Sequence, residues 1–386
     1  MVVATFLPFA IGALGPALVA DVAISHTQMG LLITSFYATG ALLSPAGGSL
    51  VDRIGGRDAL LGLLAASGAA LVLLPLAPGY AWMVAAAATG GLAIALSNPA
   101  TNLLVARLGA PGSRGVLIGI KQSGVPFGSF LAAGLLPVLA ARLGWRPALV
   151  SGLLLVAVGV AAVLALLPRH TEPLTRPSDA VTRPTAATVA TLPTAPENHR
   201  GRGWWLAAYE LFMGAGLSTV TAYLALYGHQ GLGMPEVTAG HLLALVAAVG
   251  VPARVLWGRV AEQHASLPAL LALVGVIAVA ATTLVLLAQE GRAGLAWVGA
   301  AGLGATAIAS NAIVMTALVR RGGTSRTGRD SGFVLGGFYV GLLSGAPVFG
   351  MLVDRLGSYT LGWGLTAVSF ALSAAVALAW WQFGDD

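Results

Sequence analysis

The chain has 386 residues, of which 57% are hydrophobic and only 9% are charged, and its mean hydropathy is +0.86. This much apolar surface excludes the ordinary soluble classes and predicts an all-α protein embedded in a lipid bilayer. The net charge is +6, but the basic residues fall in short segments between apolar runs, which argues against a nucleic-acid partner. The sequence contains no cysteine, which excludes disulfides and thiolate metal sites.

Twelve apolar runs are long enough to cross the bilayer, because a spanning helix needs about 20 residues. The first run could instead be a secretory signal, but it lacks a preceding basic residue and contains Gly12, Gly15 and Pro16, so we interpret it as a packed span. The predicted spans are residues 2–20, 29–50, 58–76, 80–105, 115–141, 145–168, 204–227, 235–257, 268–288, 293–319, 330–352 and 360–382.

The arginines indicate how the spans are oriented. Fourteen lie in the loops that follow even-numbered spans, counting the long central segment, and four lie in the loops that follow odd-numbered spans. Loops rich in Lys and Arg remain in the cytoplasm. We therefore expect both termini to be cytoplasmic.

The spans fall into two halves that repeat one another. Residues 169–203 are rich in proline, threonine and arginine and predict a cytoplasmic linker between six-helix bundles at 1–168 and 204–386. Pseudosymmetric halves around a site near mid-membrane are typical of transporters. A shift of 210 residues pairs Gly30, Gly40, Gly48 and Asp52 with Gly240, Gly250, Gly258 and Glu262; a shift of 213 pairs Ser97, Asn98 and Arg107 with Ser310, Asn311 and Arg320.

Several glycines recur at intervals of four residues, which places them on one face of a helix. Such faces allow helix backbones to approach closely, and they also suit surfaces that slide during a transport cycle. The sets are Gly115 and Gly119, Gly124 and Gly128, and Gly337, Gly341 and Gly345.

The segment between spans 2 and 3 reads Gly-Ser-Leu-Val-Asp-Arg-Ile-Gly-Gly-Arg from residue 48 to residue 57. It resembles the loop signature of the major facilitator superfamily, and Glu262 lies in a weaker second copy. The resemblance implies the twelve-helix fold of that family and a gate that holds the cytoplasmic side shut in the outward-open state. The gate residues implied are Gly48, Asp52, Arg53, Gly55, Arg57 and Glu262.

A second stretch begins span 5 and reads Gly-Ile-Lys-Gln-Ser-Gly-Val-Pro-Phe-Gly from residue 119 to residue 128. It is similar to that of prokaryotic family members that transport small, often anionic, solutes, which implies an inner (plasma) membrane location. It also resembles the fifth-span signature of drug/proton antiporters, although Gly124-Val-Pro126 departs from the Gly-Pro order of that signature. Efflux of amphipathic compounds in exchange for protons therefore stays as the alternative function.

Two cations lie inside spans, where a charge costs at least about 2.5 kcal/mol. Lys121 and Arg254 each fall roughly 8–9 Å from the cytoplasmic end of a helix. We interpret them as a site for an anionic solute, and the alternative is that both side chains extend to lipid headgroups. Polar residues expected beside them, either as solute ligands or as helix-to-helix hydrogen bonds, are Asn98, Asn102, Gln122 and Asn311.

Glu210 is the one acidic residue well inside a predicted span. Removal from water favours the neutral form of a carboxyl group, which makes Glu210 the candidate carrier of a coupling proton. A fixed ion pair, or a place in the interface beside Trp204 and Trp205, is the alternative.

The sequence therefore predicts a monomeric secondary carrier that moves a small, anionic organic solute by alternating access, with protons as a coupling ion. It lacks the phosphate-binding loop, His-Glu-x-x-His and Gly-x-Ser-x-Gly patterns, so we predict neither an enzyme nor a bound cofactor or metal.

Overall fold

The computed structural model describes residues 1–108, 114–167, 200–263, 266–289, 291–321 and 327–383, and within these ranges it is helical with short turns. The helices are α1 Val2–Ala13, α2 Gly15–Val22, α3 His26–Ile54, α4 Gly56–Leu76, α5 Tyr80–Leu108, α6 Arg114–Leu143, α7 Trp145–Val150, α8 Leu153–Leu166, α9 Arg200–Gln230, α10 Glu236–Gln263, α11 Leu267–Leu287, α12 Ala293–Thr306, α13 Ser310–Arg321, α14 Thr327–Leu356 and α15 Tyr359–Phe383.

Eleven membrane spans are directly recognisable in the described residues, and the bent pair α1 and α2 supplies a twelfth. The two helices meet at 61°, next to Pro16, which cannot donate a backbone hydrogen bond. Val2 packs against Gly128 in the first half of α6, whereas Gly15 packs against Met29 in the first turn of α3. The bent pair therefore runs from the middle of α6 to the level of the first turn of α3, on the opposite side of the bundle.

Two other spans, predicted as continuous, are broken. Span 6 consists of α7 and α8, with a break at Ser151 and Gly152. Span 10 consists of α12 and α13, with a turn at residues 307–309. A break leaves backbone carbonyl groups without a hydrogen-bond donor in the same helix. In span 10, side chains of α10 donate hydrogen bonds to such carbonyl groups.

The two halves contact each other mainly through three helix pairs, α3 with α14, α6 with α10, and α1 with α9. We call the side that carries Met1 and Phe383 the termini side and the other the opposite side. On the opposite side the halves are in close contact: a Cβ added at Gly30 would lie 2.7 Å from the carbonyl oxygen of Ala346. At Gly48, Gly119, Gly258 and Gly336, on the termini side of the α3–α14 and α6–α10 pairs, an added Cβ would have no atom within 4 Å. The described interface is therefore packed more closely on the opposite side, and we interpret the structure as open toward the termini side.

The glycine face of α14 packs against α9 within the second half, as its spacing predicts. A Cβ at Gly337 or Gly341 would collide with the carbonyl oxygens of Ala207 or Leu211, and one at Gly345 with that of Ala215. Gly124 and Gly128 pack on the first residues of α1 in the same way. Gly119, in contrast, faces open space, so close packing at that position is not seen in this state.

Gly341→Ala is expected to lower the stability of the protein by about 1–3 kcal/mol, because its methyl group needs backbone to move in a well-packed interface. The new Cβ would lie 2.7 Å from the backbone nitrogen of Ala215. Gly336→Ala, five residues earlier in the same helix, is the matched control, since open space surrounds it and alanine is the better helix former. Thermal unfolding of the two detergent-solubilised variants makes the comparison, and equal melting temperatures would refute the packing argument.

The predicted linker, residues 169–203, lies almost entirely outside the described residues. Its last four residues, 200–203, form the first turn of α9.

Candidate functional site

Lys121 lies near the start of α6, and its ammonium group contacts two amides of the neighbouring helix α5. Nζ is 3.2 Å from Oδ1 of Asn98 and 2.5 Å from Oδ1 of Asn102. The two asparagines are four residues apart and therefore share one face of α5. Because an ammonium group has three donors, one remains for another ligand. The side chain is held by its own half of the protein and does not extend away to the lipid surface.

Arg254 on α10 connects three helices through its guanidinium group. Nε donates to the carbonyl oxygen of Ile308 at 2.9 Å, and Nη1 donates to the carbonyl oxygen of Gln122 at 2.8 Å. Ile308 lies in the break of span 10, where its carbonyl group is not needed by the helix. Gln122 belongs to the other half and follows Lys121 directly. Arg254 thus connects the two halves at the level of Lys121.

Glu210 is buried in α9, with 1% of its surface exposed. Within the described part of the chain neither carboxyl oxygen has a hydrogen-bond partner. Arg254 is close enough to act on the carboxyl group through space, but the two groups form no ion pair in the described residues. Trp204, six residues earlier in the same helix, is in contrast 68% exposed, and the interfacial alternative for Glu210 stays open. A buried carboxyl group without a hydrogen-bond partner is a group that can bind and release a proton.

The remaining predicted ligands are less clearly placed. Gln122 contributes its backbone oxygen, and its side chain makes no hydrogen bond with the residues that the structure describes. Asn311 is partly buried at the start of α13, also without a side-chain hydrogen bond in the described ranges. Solute binding by these two side chains stays a prediction.

The predicted gate residues surround the end of α3 on the termini side. Asp52 and Arg53 were expected in a loop, but they lie in the last turn of α3, which continues to Ile54 and ends at Gly55 with φ +84°. Both are exposed, as is Glu262 at the end of α10. Their exposure beside the open space at Gly48 fits a gate that is open in this state, and their closing role stays a prediction.

Arg57 differs from the exposed gate residues, because only 11% of its side chain is exposed. Its Nη1 lies 3.8 Å from Oδ1 of Asp58, in the first turn of α4. Its buried Nε has no hydrogen-bond partner in the described residues.

The break in span 10 is a feature that sequence reasoning missed. Arg254 is not the only residue of α10 that donates a hydrogen bond here. Trp257 donates from Nε1 to the carbonyl oxygen of Ala305, just before the break, at 2.6 Å. Discontinuous spans are common beside the binding sites of transporters. The signal that could have indicated it is the pair Gly302 and Gly304 followed by Thr306, since glycine and threonine are poor helix formers.

Two six-helix halves that meet around charges buried inside predicted spans are typical of a membrane transport protein. A family model described as Major Facilitator Superfamily matches residues 1–334. The chain belongs to this superfamily.

Curated relatives match over part of the chain. The facilitated glucose transporter member 10 of solute carrier family 2 from Mus musculus is 33% identical over 167 residues, which is 41% of this chain and 30% of that protein. The probable anion transporter 4, chloroplastic, from Arabidopsis thaliana is 32% identical over 148 residues, 36% of this chain and 28% of that protein. The chain thus spans less than a third of the length of these relatives.

Two solved structures share the fold over nearly the whole chain. A bacterial homologue of the human lysosomal transporter Spinster has a TM-score of 0.73, with 99% of this chain and 94% of that chain covered. A D-xylose-proton symporter has a TM-score of 0.76, with 99% and 96% covered. Sequence identity is 16% in both cases, so the likeness concerns the fold alone.

Proposed function

We propose that this carrier moves a small anionic organic solute that binds at Lys121, between the two halves. The proposal is carried by the ammonium group of Lys121, which contacts two amides and has a third donor that makes no hydrogen bond with the described residues. A partly desolvated ammonium group gains a strong, charge-assisted hydrogen bond from a carboxylate or phosphate. The Arabidopsis relative is named as a probable anion transporter, which agrees with this proposal.

Arg254 and Glu210 are proposed to couple the solute to a proton. Arg254 donates a hydrogen bond to the Gln122 carbonyl group of the other half, and its charge acts through space on Glu210 of its own half. An anion that reaches the site binds Arg254 and offsets its positive charge, so the charged form of Glu210 loses stabilisation and the carboxyl group takes up a proton. The coupling is reciprocal, because each ligand changes the free energy with which the other one binds.

The termini side is proposed to be the cytoplasmic side, in accordance with the fourteen arginines of its loops, and the membrane to be a prokaryotic inner membrane. On this assignment the structure is the inward-open state. The protein is proposed to act as a monomer, with a bundle boundary at the segment 169–203.

A neutral sugar is the second candidate solute. The mouse relative and one structural neighbour are named for glucose and xylose, respectively. The amide groups of Asn98, Asn102 and Gln122 also suit sugar hydroxyls, since amides donate and accept hydrogen bonds. A sugar, however, would not use the positive charges of the site.

A thermal-shift screen of the purified protein tests the proposal against both alternatives. Small carboxylates and organic phosphates at about 100 times their Kd are expected to raise the melting temperature by about 5 °C, since a ligand stabilises the state that it binds. A shift with neutral sugars only would favour the second candidate. A shift with amphipathic cations only would favour the efflux alternative.

A further inference from the structure

The loop signature between α3 and α4 has a close copy at the other side of the membrane. Gly-Ser-Leu-Val-Asp-Arg-Ile-Gly ends α3 at residues 48–55, and Gly-Met-Leu-Val-Asp-Arg-Leu-Gly ends α14 at residues 350–357, with six of eight residues identical. Both copies end their helix at a glycine in the left-handed region, Gly55 with φ +84° and Gly357 with φ +64°. The copies correspond in structure as well as in sequence, but one lies on the termini side and the other on the opposite side.

The aspartate of the second copy, Asp354, binds the N-terminus of α3 in the other half. Its Oδ1 accepts hydrogen bonds from the backbone nitrogen of His26 at 2.9 Å and from the ring Nδ1 at 2.8 Å. Its Oδ2 accepts from the backbone nitrogen of Thr27 at 2.8 Å and from the hydroxyl at 2.6 Å. The first backbone N–H groups of a helix have no partner in the helix and carry a partial positive charge, so a carboxylate stabilises them.

The glycine of the second copy makes this contact possible. Gly350 lies one helical turn before Asp354, and a Cβ there would lie 2.5 Å from the carbonyl oxygen of His26. The hydroxyl of Tyr223, on α9, is 2.7 Å from the same oxygen and 2.9 Å from that of Ala346. We call Asp354, His26, Thr27, Tyr223 and Gly350 the opposite-side latch.

The first copy is in the reverse condition. A Cβ added at Gly48, which corresponds to Gly350, would have no atom within 4 Å, and Asp52, which corresponds to Asp354, is exposed. The latch sequence is therefore engaged on the closed side and disengaged on the open side of the same structure.

We propose that Asp354 is a positioning residue of the transport cycle that holds the opposite side shut while the termini side is open, as the counterpart of Asp52 in the reverse state. The latch opens when the N-terminus of α3 leaves Asp354. In the reverse state Asp52 holds the termini side shut and Asp354 is released. This inference does not depend on the chemical class of the solute.

Distance measurements between spin labels on paired cysteines test the proposal, and the cysteine-free chain supplies no background labelling. Labels at positions 79 and 294 report the distance between the halves on the opposite side, and labels at positions 119 and 336 report it on the termini side. These four glycines are chosen because a side chain added there meets no atom within 4 Å of its Cβ. Asp354→Asn is expected to increase the ratio of long to short opposite-side distances about tenfold and to shorten the termini-side distance. Asp21→Asn is the matched control, because this opposite-side aspartate binds Trp145 and Arg146 of its own half.

Two results would overturn the proposal. One is a distance distribution for Asp354→Asn that equals those of the wild type and of Asp21→Asn. The other is a longer opposite-side distance without a shorter termini-side distance, which would mean local loosening only. If Asp354→Asn does not fold, Tyr223→Phe, which removes only the hydroxyl group, is expected to shift both distances in the same directions by a smaller amount, and unchanged distances there would contradict the latch.

Discussion

Lys121→Gln is expected to weaken the binding of an anionic solute by at least about 30-fold, or about 2 kcal/mol. Glutamine keeps a polar side chain beside Asn98 and Asn102 but loses the positive charge that these amides position. The substitution weakens solute binding rather than an internal ion pair, because the hydrogen bonds that the structure shows for Lys121 include no acidic partner. Isothermal titration of the detergent-solubilised variant with the anion from the thermal-shift screen measures it.

Two controls make this prediction specific. Arg259→Gln removes an exposed cation five residues beyond Arg254 and leaves the site untouched, so it is expected to preserve affinity. Lys121→Arg keeps the charge and is expected to retain part of the affinity. If Lys121→Gln and Arg259→Gln bind the anion equally well, Lys121 is not a solute ligand.

Glu210→Gln is expected to reduce uptake driven by a pH gradient at least about tenfold while exchange of solute for solute continues. Glutamine has nearly the shape of glutamic acid but cannot take up or release a proton, so the site stays filled and the coupling is lost. Proteoliposomes with and without an imposed pH gradient separate the two activities. Arg254 then faces a neutral group and remains bound to Gln122 and Ile308.

The control for Glu210 is Glu236→Gln, which neutralises a glutamate in the first turn of α10, on the opposite side. This variant is expected to respond to the pH gradient like the wild type. A Glu210→Gln protein that still accumulates solute in response to the gradient would exclude Glu210 as the proton carrier, without bearing on the anion site.

Much of the fold follows from the sequence because the bilayer imposes a simple requirement. Each predicted span has a helical counterpart, since a chain in hydrocarbon must satisfy its backbone hydrogen bonds internally. The four-residue spacing of Gly337, Gly341 and Gly345 also correctly predicts a close contact, because small residues on one face leave room for a neighbouring backbone. Length, apolarity and spacing are local properties, and local properties can be read from a sequence.

The site was harder to predict because its partners are not local. Lys121 and Arg254 are both inside spans, but Lys121 binds amides of its own half, and Arg254 binds backbone oxygens. One of those oxygens is available only because span 10 is broken, and no strong helix-breaking residue marks that break. Asp354 was overlooked because a charge at the end of a span looks like an ordinary loop residue until the copy of the signature is noticed.

Counterflow in proteoliposomes tests most directly whether the protein is a carrier. Vesicles are loaded with an excess of the unlabelled solute identified in the screen and are diluted into a trace of the labelled solute. A carrier that alternates between two open states is expected to accumulate label transiently above its equilibrium level, because unlabelled solute leaving the vesicle returns the site to the outside. Label that rises only to equilibrium would indicate a channel, and label that never enters would indicate a binding protein; either result would contradict the account.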